Sequence, residues 1–125
     1  MKALVLVAHG SRREASNEEV INLSRVIKQD MNKEYDVVQA GFLELAKPSI
    51  PEVIENCINS GATDIVVVPY FLSAGRHVCE DVPAEVDKVR VNYADISIAI
   101  TSHIGGFAAM KDLIREAATN GETSY

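Results

Sequence analysis

The sequence predicts an α/β fold in which a four-stranded parallel sheet carries helices on both faces. Two near-continuous apolar runs, 3–8 and 65–68, have the composition of strands buried on both sides. Strand-like segments at 35–43 and 96–100 are interrupted by polar residues, which is typical of edge strands. Amphipathic helical patterns alternate with these four strands, so the chain consists of four strand–helix units. With right-handed crossovers and the apolar strands at the centre, the expected strand order is 2-1-3-4.

The first two helices have capping-box signatures. Residues 16–19 match S-x-x-E and open a helix predicted over 17–31. Residues 49–52 match the same pattern with a proline in the first turn, and Gly61 is placed to end that second helix.

The later elements are bounded by proline, by acidic residues and by changes in periodicity. Pro69 ends the third strand, because proline cannot donate to a central ladder. Asp81 stands just ahead of a proline and marks the start of the third helix. Apolar residues at helical spacing over 107–117 predict the last helix, and the polar segment 118–125 is expected to fray.

Length, charge and cysteine content limit the possible functions. A chain of 125 residues is expected to form a single domain over 1–125. The net charge of −6 argues against nucleic-acid binding. Cys57 and Cys79 are far apart and form no C-x-x-C pair, so neither a disulfide framework nor a thiolate metal site is expected. No run is long enough to cross a bilayer, and no signal segment is visible, so we expect a cytoplasmic protein.

Three side chains able to bind a metal or move a proton follow strand ends. They are His9, Glu44 and His77, after the first, second and third strands. The order 2-1-3-4 places the topological switch point between the strands that precede the two histidines, and ligands bind at such points. A single histidine there is more often structural, but two with a nearby glutamate favour function. Imidazole and carboxylate suit Co²⁺, Ni²⁺ or Fe²⁺ and can also accept protons. His103 follows an edge strand and is expected to be peripheral.

The same loops carry cations and aromatic side chains. Arg12, Arg13, Lys47 and Arg76 would each be unremarkable as a solvated charge, but together they predict a cationic rim for a ligand with several carboxylates. The segment 70–72 offers an apolar wall for a flat ring, although its phenylalanine is equally suited to the core.

Three segments carry a family resemblance. AHGSR at 8–12, LELAKPSI at 43–50 and VVPYFLSAGRHVCEDVP at 67–83 resemble the short CbiX- and SirB-type class II tetrapyrrole chelatases. Such proteins insert a divalent metal into sirohydrochlorin, a macrocycle rich in carboxylates, on the way to cobalamin, sirohaem or a nickel tetrapyrrole. The resemblance implies that His9, Glu44 and His77 handle the metal and the protons. It also implies a single-half form that works as a homodimer.

The resemblance extends to the substrates. We expect the metal to be a substrate, with two pyrrole protons released as it enters the ring. No Walker-type motif is present, so no nucleotide is expected. The absence of a histidine-rich insert favours Co²⁺, with Ni²⁺ or Fe²⁺ as alternatives. The residues expected to contact the tetrapyrrole are Ser11, Arg12, Lys47, Tyr70, Phe71, Ser73 and Arg76.

The last loop departs from the family pattern. Relatives tend to read P-L-G-x-H-P, whereas residues 103–108 read HIGGFA, so the resemblance does not define the far wall of the pocket.

Two other classes of function are compatible with parts of the sequence. A strand ending in His-Gly resembles the R-H-G of histidine phosphatases, but Ala8 stands where the phosphate-gripping arginine is needed. A metal or tetrapyrrole carrier would need the same ligands as a chelatase. Turnover distinguishes the two, because a carrier stops at one metallated ring per site.

Overall fold

The protein is an α/β sandwich built on one parallel sheet. The computed structural model describes residues 1–121, except for the side chain of His77. The strands are β1 (Lys2–Ala8), β2 (Val37–Phe42), β3 (Asp64–Pro69) and β4 (Ser97–Ile100), and they lie in the order β2-β1-β3-β4. This confirms the predicted fold class and strand order.

Four α-helices connect and follow the strands. They are α1 (Glu14–Asp30), α2 (Ile50–Asn59), α3 (Val82–Arg90) and α4 (Ala109–Asn120). A π-helical turn, His77–Asp81, leads directly into α3, and a 3-10 turn, Ile104–Gly106, lies between β4 and α4. In residues 1–121 no helix is both long enough and apolar enough to cross a membrane.

The central strand β1 divides the core into two layers. Its side chains alternate, so Ala3, Val5 and Val7 belong to the cluster formed with α2 and α3. Leu4 and Leu6 belong to the cluster on the opposite face, with α1. Every residue from 3 to 8 is buried, which explains why this strand is an unbroken apolar run. Burying each large aliphatic side chain contributes about 1.5–3 kcal/mol.

Only one face of strand β3 is fully buried. Ile65 and Val67 are buried against α2 and α3, but Val66 and Val68 on the α1 side are only half-buried. The expectation that β3 is buried on both faces was therefore wrong. The cause is α4, none of whose residues is buried, so that helix does not pack tightly on this part of the sheet.

The two predicted capping boxes had different outcomes. At α2 the prediction is confirmed: the Glu52 N–H donates to Ser49 Oγ at 3.2 Å, and the Ser49 N–H donates to Glu52 Oε1 at 2.9 Å. At α1 the prediction was wrong, because that helix begins at Glu14 and Ser16 lies inside it. The turn into α1 is made earlier, where the Arg13 N–H donates to Ser11 Oγ at 3.0 Å.

Three other expected boundaries also moved. Asp81 does not cap α3, because helical backbone already begins at His77. Phe107 precedes α4 instead of belonging to it. The expected frayed end at 118–125 was wrong for 118–120, which are helical, and 122–125 lie outside the described residues.

Cys57 is a core residue, as its position on an amphipathic helix predicts. It is fully buried in the cluster with α2 and α3. Burial raises the pKa of the Cys57 thiol to about 11, so the side chain stays protonated and behaves as a small apolar group.

Candidate functional site

The candidate site starts from His9 and Glu44, which lie side by side at the carboxyl edge of the sheet. Backbone pairing of β1 with β2 continues past both strand ends: the Leu43 N–H donates to Ala8 O at 2.9 Å, and the Glu44 N–H donates to His9 O at 3.0 Å. This register brings His9 Nε2 within 3.7 Å of Glu44 Oε2, with the side chains 41% and 51% exposed. The pair is therefore fixed by the backbone yet open to solvent.

The orientation of the His9 ring follows from a hydrogen bond. Nδ1 lies 2.9 Å from the carbonyl oxygen of Gly10, and a carbonyl can only accept, so Nδ1 carries the proton. In the neutral ring the lone pair is then on Nε2, the atom that faces Glu44. First-row ions sit about 2.0–2.2 Å from such nitrogen and oxygen ligands, so one ion can contact both atoms across this separation. The pair suits either a divalent ion or a proton.

Gly10 allows the two loops to approach closely. Its φ is +95°, and a Cβ at this position would lie 1.8 Å from the Glu44 carbonyl oxygen. A side chain would therefore push the Glu44 backbone away from the His9 loop. Glycine is required here for both its conformation and its size.

Asn17 is a component of the site that the sequence analysis missed. Asn17 is 3% exposed, and its amide bonds both backbone groups of Ser11. The Ser11 N–H donates to Asn17 Oδ1 at 3.0 Å, and Asn17 Nδ2 donates to the Ser11 carbonyl at 2.8 Å. The available signal was an amide side chain shortly after the His-Gly-Ser loop, but the S-x-x-E pattern around it suggested only a helix start.

His77 reaches the same edge of the sheet through its backbone. It opens the π-helical turn that follows β3, and β3 is paired with β1, with the Tyr70 N–H donating to Val7 O at 2.7 Å just past the strand end. Its side chain lies outside the described part. Among the side chains that are described, no group of three or more His, Cys, Asp or Glu is arranged to hold a metal. A ligand set of His9, Glu44 and His77 therefore stays a prediction.

The predicted cationic rim is exposed. Arg12, Arg13, Lys47 and Arg76 all have solvent-accessible side chains. Arg76 Nε lies 3.5 Å from Glu80 Oε2, with the two side chains 81% and 69% exposed. Such a surface pair is worth about 0–1 kcal/mol, so an incoming carboxylate can displace Glu80.

The segment after β3 divides between core and surface. Phe71 packs against the core cluster, which matches the alternative left open for it, whereas Tyr70, Leu72 and Ser73 are exposed. Tyr70, Phe71, Leu72 and Ile104 line a cavity of about 220 Å³. The Gly105 N–H donates to Phe71 O at 3.0 Å, which ties this segment to the loop after β4.

A second, larger hollow adjoins the first through Ile104. Its volume is about 430 Å³, and its walls come from β3, the end of β4 and α4. The lining residues are Val68, Thr101, Ile104, Phe107, Ala109, Met110 and Leu113. His103 lines neither hollow, and its ring lies over Gly106 instead.

A comparison with known protein families identifies the family to which this chain belongs. The CbiX family model matches residues 3–120, almost the whole chain. The chain belongs to the CbiX family. Its fold is accordingly that of the CbiX-type class II chelatases, as the three sequence motifs indicated.

The curated relatives of this CbiX chain are named after two different metals, cobalt and iron. It is 37% identical over 74% of its length to the sirohydrochlorin cobaltochelatase of Methanocaldococcus jannaschii, and covers 64% of that protein. It is 32% identical over 90% of its length to the chloroplastic sirohydrochlorin ferrochelatase of Arabidopsis thaliana, and covers 49% of it. The sirohydrochlorin cobaltochelatase of Sulfolobus acidocaldarius is 35% identical over 94% of the chain, with 90% of that protein covered.

Solved structures show the same likeness. A CbiX protein from Marinobacter aquaeolei VT8 superposes with a TM-score of 0.77 at 25% identity, over 97% of both chains. SirB from Bacillus subtilis subspecies spizizenii in complex with cobalt superposes with a TM-score of 0.85 at 28% identity. That match spans 95% of the CbiX chain but 50% of SirB.

Proposed function

We propose that this CbiX-family protein inserts a divalent metal, Co²⁺ by preference, into sirohydrochlorin. The observation that carries the proposal is the imidazole lone pair of His9 facing the Glu44 carboxylate at 3.7 Å, in an exposed position at the carboxyl edge of the sheet. The names of the relatives support the reaction class, since they are called sirohydrochlorin cobaltochelatase or ferrochelatase.

The proposed reaction moves one ion and two protons. His9 and Glu44, with His77, hold the incoming M²⁺ and pass it to the macrocycle. As bonds form between the metal and the ring nitrogens, two pyrrole N–H bonds break, and the imidazoles and Glu44 accept the two protons. The step involves no oxidation or reduction and no nucleotide. The two protons that leave the ring balance the double positive charge of the metal that enters.

The substrate contacts follow from the loops around this pair. The cations Arg12, Lys47 and Arg76 bind carboxylates on the periphery of the ring, with Ser11 and Ser73 as further polar contacts. Tyr70 and Phe71 form the apolar wall. Binding the ring edge in this way can hold the macrocycle distorted, so that its nitrogen lone pairs face the metal.

We also propose that two copies pack through α4. Leu113 and Ile114 on this helix are 56% and 62% exposed, although both are large apolar side chains. The same helix carries Lys111, Asp112, Arg115 and Glu116, two cations and two carboxylates. Around a twofold axis, antiparallel α4 helices would place opposite charges next to one another while burying the apolar side chains.

The deciding experiment is a metal-insertion assay. Purified protein is mixed anaerobically with sirohydrochlorin and Co²⁺, Ni²⁺ or Fe²⁺ separately, and the change in ring absorption is followed. We expect many turnovers per site, fastest with Co²⁺, and a loss of about 100-fold or more in His9→Ala and in His77→Ala.

The matched control for these variants is His103→Ala, which removes a histidine that lines neither hollow and is expected to keep the wild-type rate. An end point of one metallated ring per site would indicate a carrier. A His9→Ala or His77→Ala protein with full activity would remove that residue from the mechanism, and absence of insertion with all three ions would end the proposal.

A further inference from the structure

We infer that Asn17 is the positioning residue that holds the His9–Glu44 pair together. The inference deepens the proposed function, because it concerns the same two side chains. Asn17 contacts neither of them. It acts through Ser11, two residues after His9, whose backbone N–H and C=O it binds with a single buried amide.

The geometry explains why one side chain can control the loop. Residues 9–13 leave β1 and turn into α1, and the two backbone groups of Ser11 in this turn are bonded by a side chain instead of by a strand or helix. The Asn17 amide supplies both partners of Ser11, much as a neighbouring strand would. Since Asn17 is 3% exposed, the two bonds form in a water-poor site, where losing them costs more than at the surface.

The two hydrogen bonds between the Asn17 amide and the Ser11 backbone, which we call the clamp, also set the position of Glu44. Gly10 lies between His9 and Ser11, and its α-carbon packs against the Glu44 carbonyl so closely that no Cβ fits. The Glu44 N–H in turn donates to His9 O at 3.0 Å. Asn17 therefore holds Ser11, Ser11 fixes Gly10, and Gly10 keeps the β1 and β2 loops in contact.

The chain offers a matched control in the same helix. Ser24 is the other buried polar residue described in α1, also 3% exposed, and its hydroxyl donates to Ile21 O at 2.6 Å. Ser24→Ala removes a buried hydrogen bond from α1 without touching the 9–13 loop. Asn17→Ala removes the clamp, and Asn17→Asp keeps the acceptor for the Ser11 N–H but loses the donor to its carbonyl.

The test measures the pair itself before any reaction. Co²⁺ alone is titrated into each protein and followed by its visible absorption bands, and amide hydrogen exchange at Ser11 and Glu44 is measured by NMR. We expect Asn17→Ala to remain folded, to bind Co²⁺ about 10–100-fold more weakly and to lose protection at both amides. Asn17→Asp should fall between Asn17→Ala and wild type, and Ser24→Ala should match wild type. In the insertion assay Asn17→Ala should raise the KM for the metal more than it lowers kcat.

The outcomes separate this inference from the proposed function. If the wild type binds Co²⁺ without inserting it, the proposed function fails while the affinities still test the clamp. If the wild type binds no Co²⁺, the hydrogen-exchange protection of the Glu44 amide is the measurement that tests the role of Asn17. Wild-type affinity and Glu44 protection in Asn17→Ala, or equal losses in Ser24→Ala, would overturn the inference. Should Asn17→Ala fail to fold, the same readings on Asn17→Asp decide.

Discussion

At the scale of single residues, backbone contacts are what bring the side chains of the candidate site together. His9 and Glu44 are ordinary surface-accessible side chains, and what makes them a pair is the hydrogen bond from the Glu44 N–H to His9 O. The sequence could name both residues, because each follows a predicted strand. It could not show their separation, which depends on a register that only the folded sheet sets.

Replacing the Glu44 carboxylate tests its role directly. Glu44→Gln keeps the size of the side chain and loses its charge and its capacity to accept a proton. If it assists in binding the metal and in removing protons, the insertion rate should fall by about 100-fold or more, with little change in stability. Glu18→Gln, which alters an exposed glutamate on α1, is the control and should keep the wild-type rate. Unchanged insertion by Glu44→Gln would show that His9 acts without it.

Replacing Gly10 tests the close approach of the two loops. The reference variant is Gly61→Ala, which places a side chain at a φ of +108°, where the nearest atom to the new Cβ is the Met1 sulfur at 3.4 Å. This strain alone should lower the unfolding free energy by about 1–2 kcal/mol. Gly10→Ala adds a clash with the Glu44 carbonyl to the same kind of strain and should cost more. Urea unfolding gives both values, and insertion should fall only in Gly10→Ala. Equal costs would mean that the Glu44 loop moves aside freely.

At the scale of elements, the comparison of two similar motifs shows what a pattern can predict. Both helices carry S-x-x-E, but only Ser49 caps its helix. In the α1 segment another local contact competed with this signal, because the buried Asn17 amide bonds Ser11, six residues earlier, and the helix begins before Ser16 is reached. The S-x-x-E pattern by itself does not report this contact.

The capping box of α2 makes the stability of the protein depend on pH. Hydrogen bonds from the Ser49 backbone N–H and then from its hydroxyl hold the pKa of Glu52 below its ordinary value. A carboxylate whose folded-state pKa is depressed stabilises the fold above its unfolded pKa, and that contribution disappears as the pH falls through the folded value. The wild type should therefore be more stable than Glu52→Gln at neutral pH, with the difference shrinking below the ordinary glutamate pKa of about 4.3.

Urea unfolding at a series of pH values measures this difference. The control is Ser49→Ala, which removes the cap itself and should cost about 1 kcal/mol at neutral pH. Parallel pH profiles for wild type and Glu52→Gln would show that the carboxylate charge adds nothing to the cap.

At the scale of the whole molecule, the sheet was predictable and the coverage of its second face was not. The strand order follows from burial and handedness, because β1 and β3 are the two strands with apolar runs and were therefore expected at the centre of the sheet. The same argument placed β3 in an equally buried position, yet Val66 and Val68 are half-buried. A sequence shows that α4 is amphipathic, but it does not show whether its apolar side meets its own sheet or another molecule.

A charge placed on α4 tests whether a second copy covers this surface. Leu113→Glu should turn a dimer into a monomer in sedimentation experiments, because the carboxylate would have to be buried without a partner. Val26→Glu is the matched control, since Val26 is a similarly exposed apolar residue, at 60%, on the outer side of α1, and it should leave the assembly unchanged. If the dimer also completes the tetrapyrrole site, insertion by the wild type should fall as the protein is diluted through its dissociation constant, and Leu113→Glu should be slow at every concentration. A wild-type chain that sediments as a monomer at high concentration would leave the apolar side of α4 without this explanation.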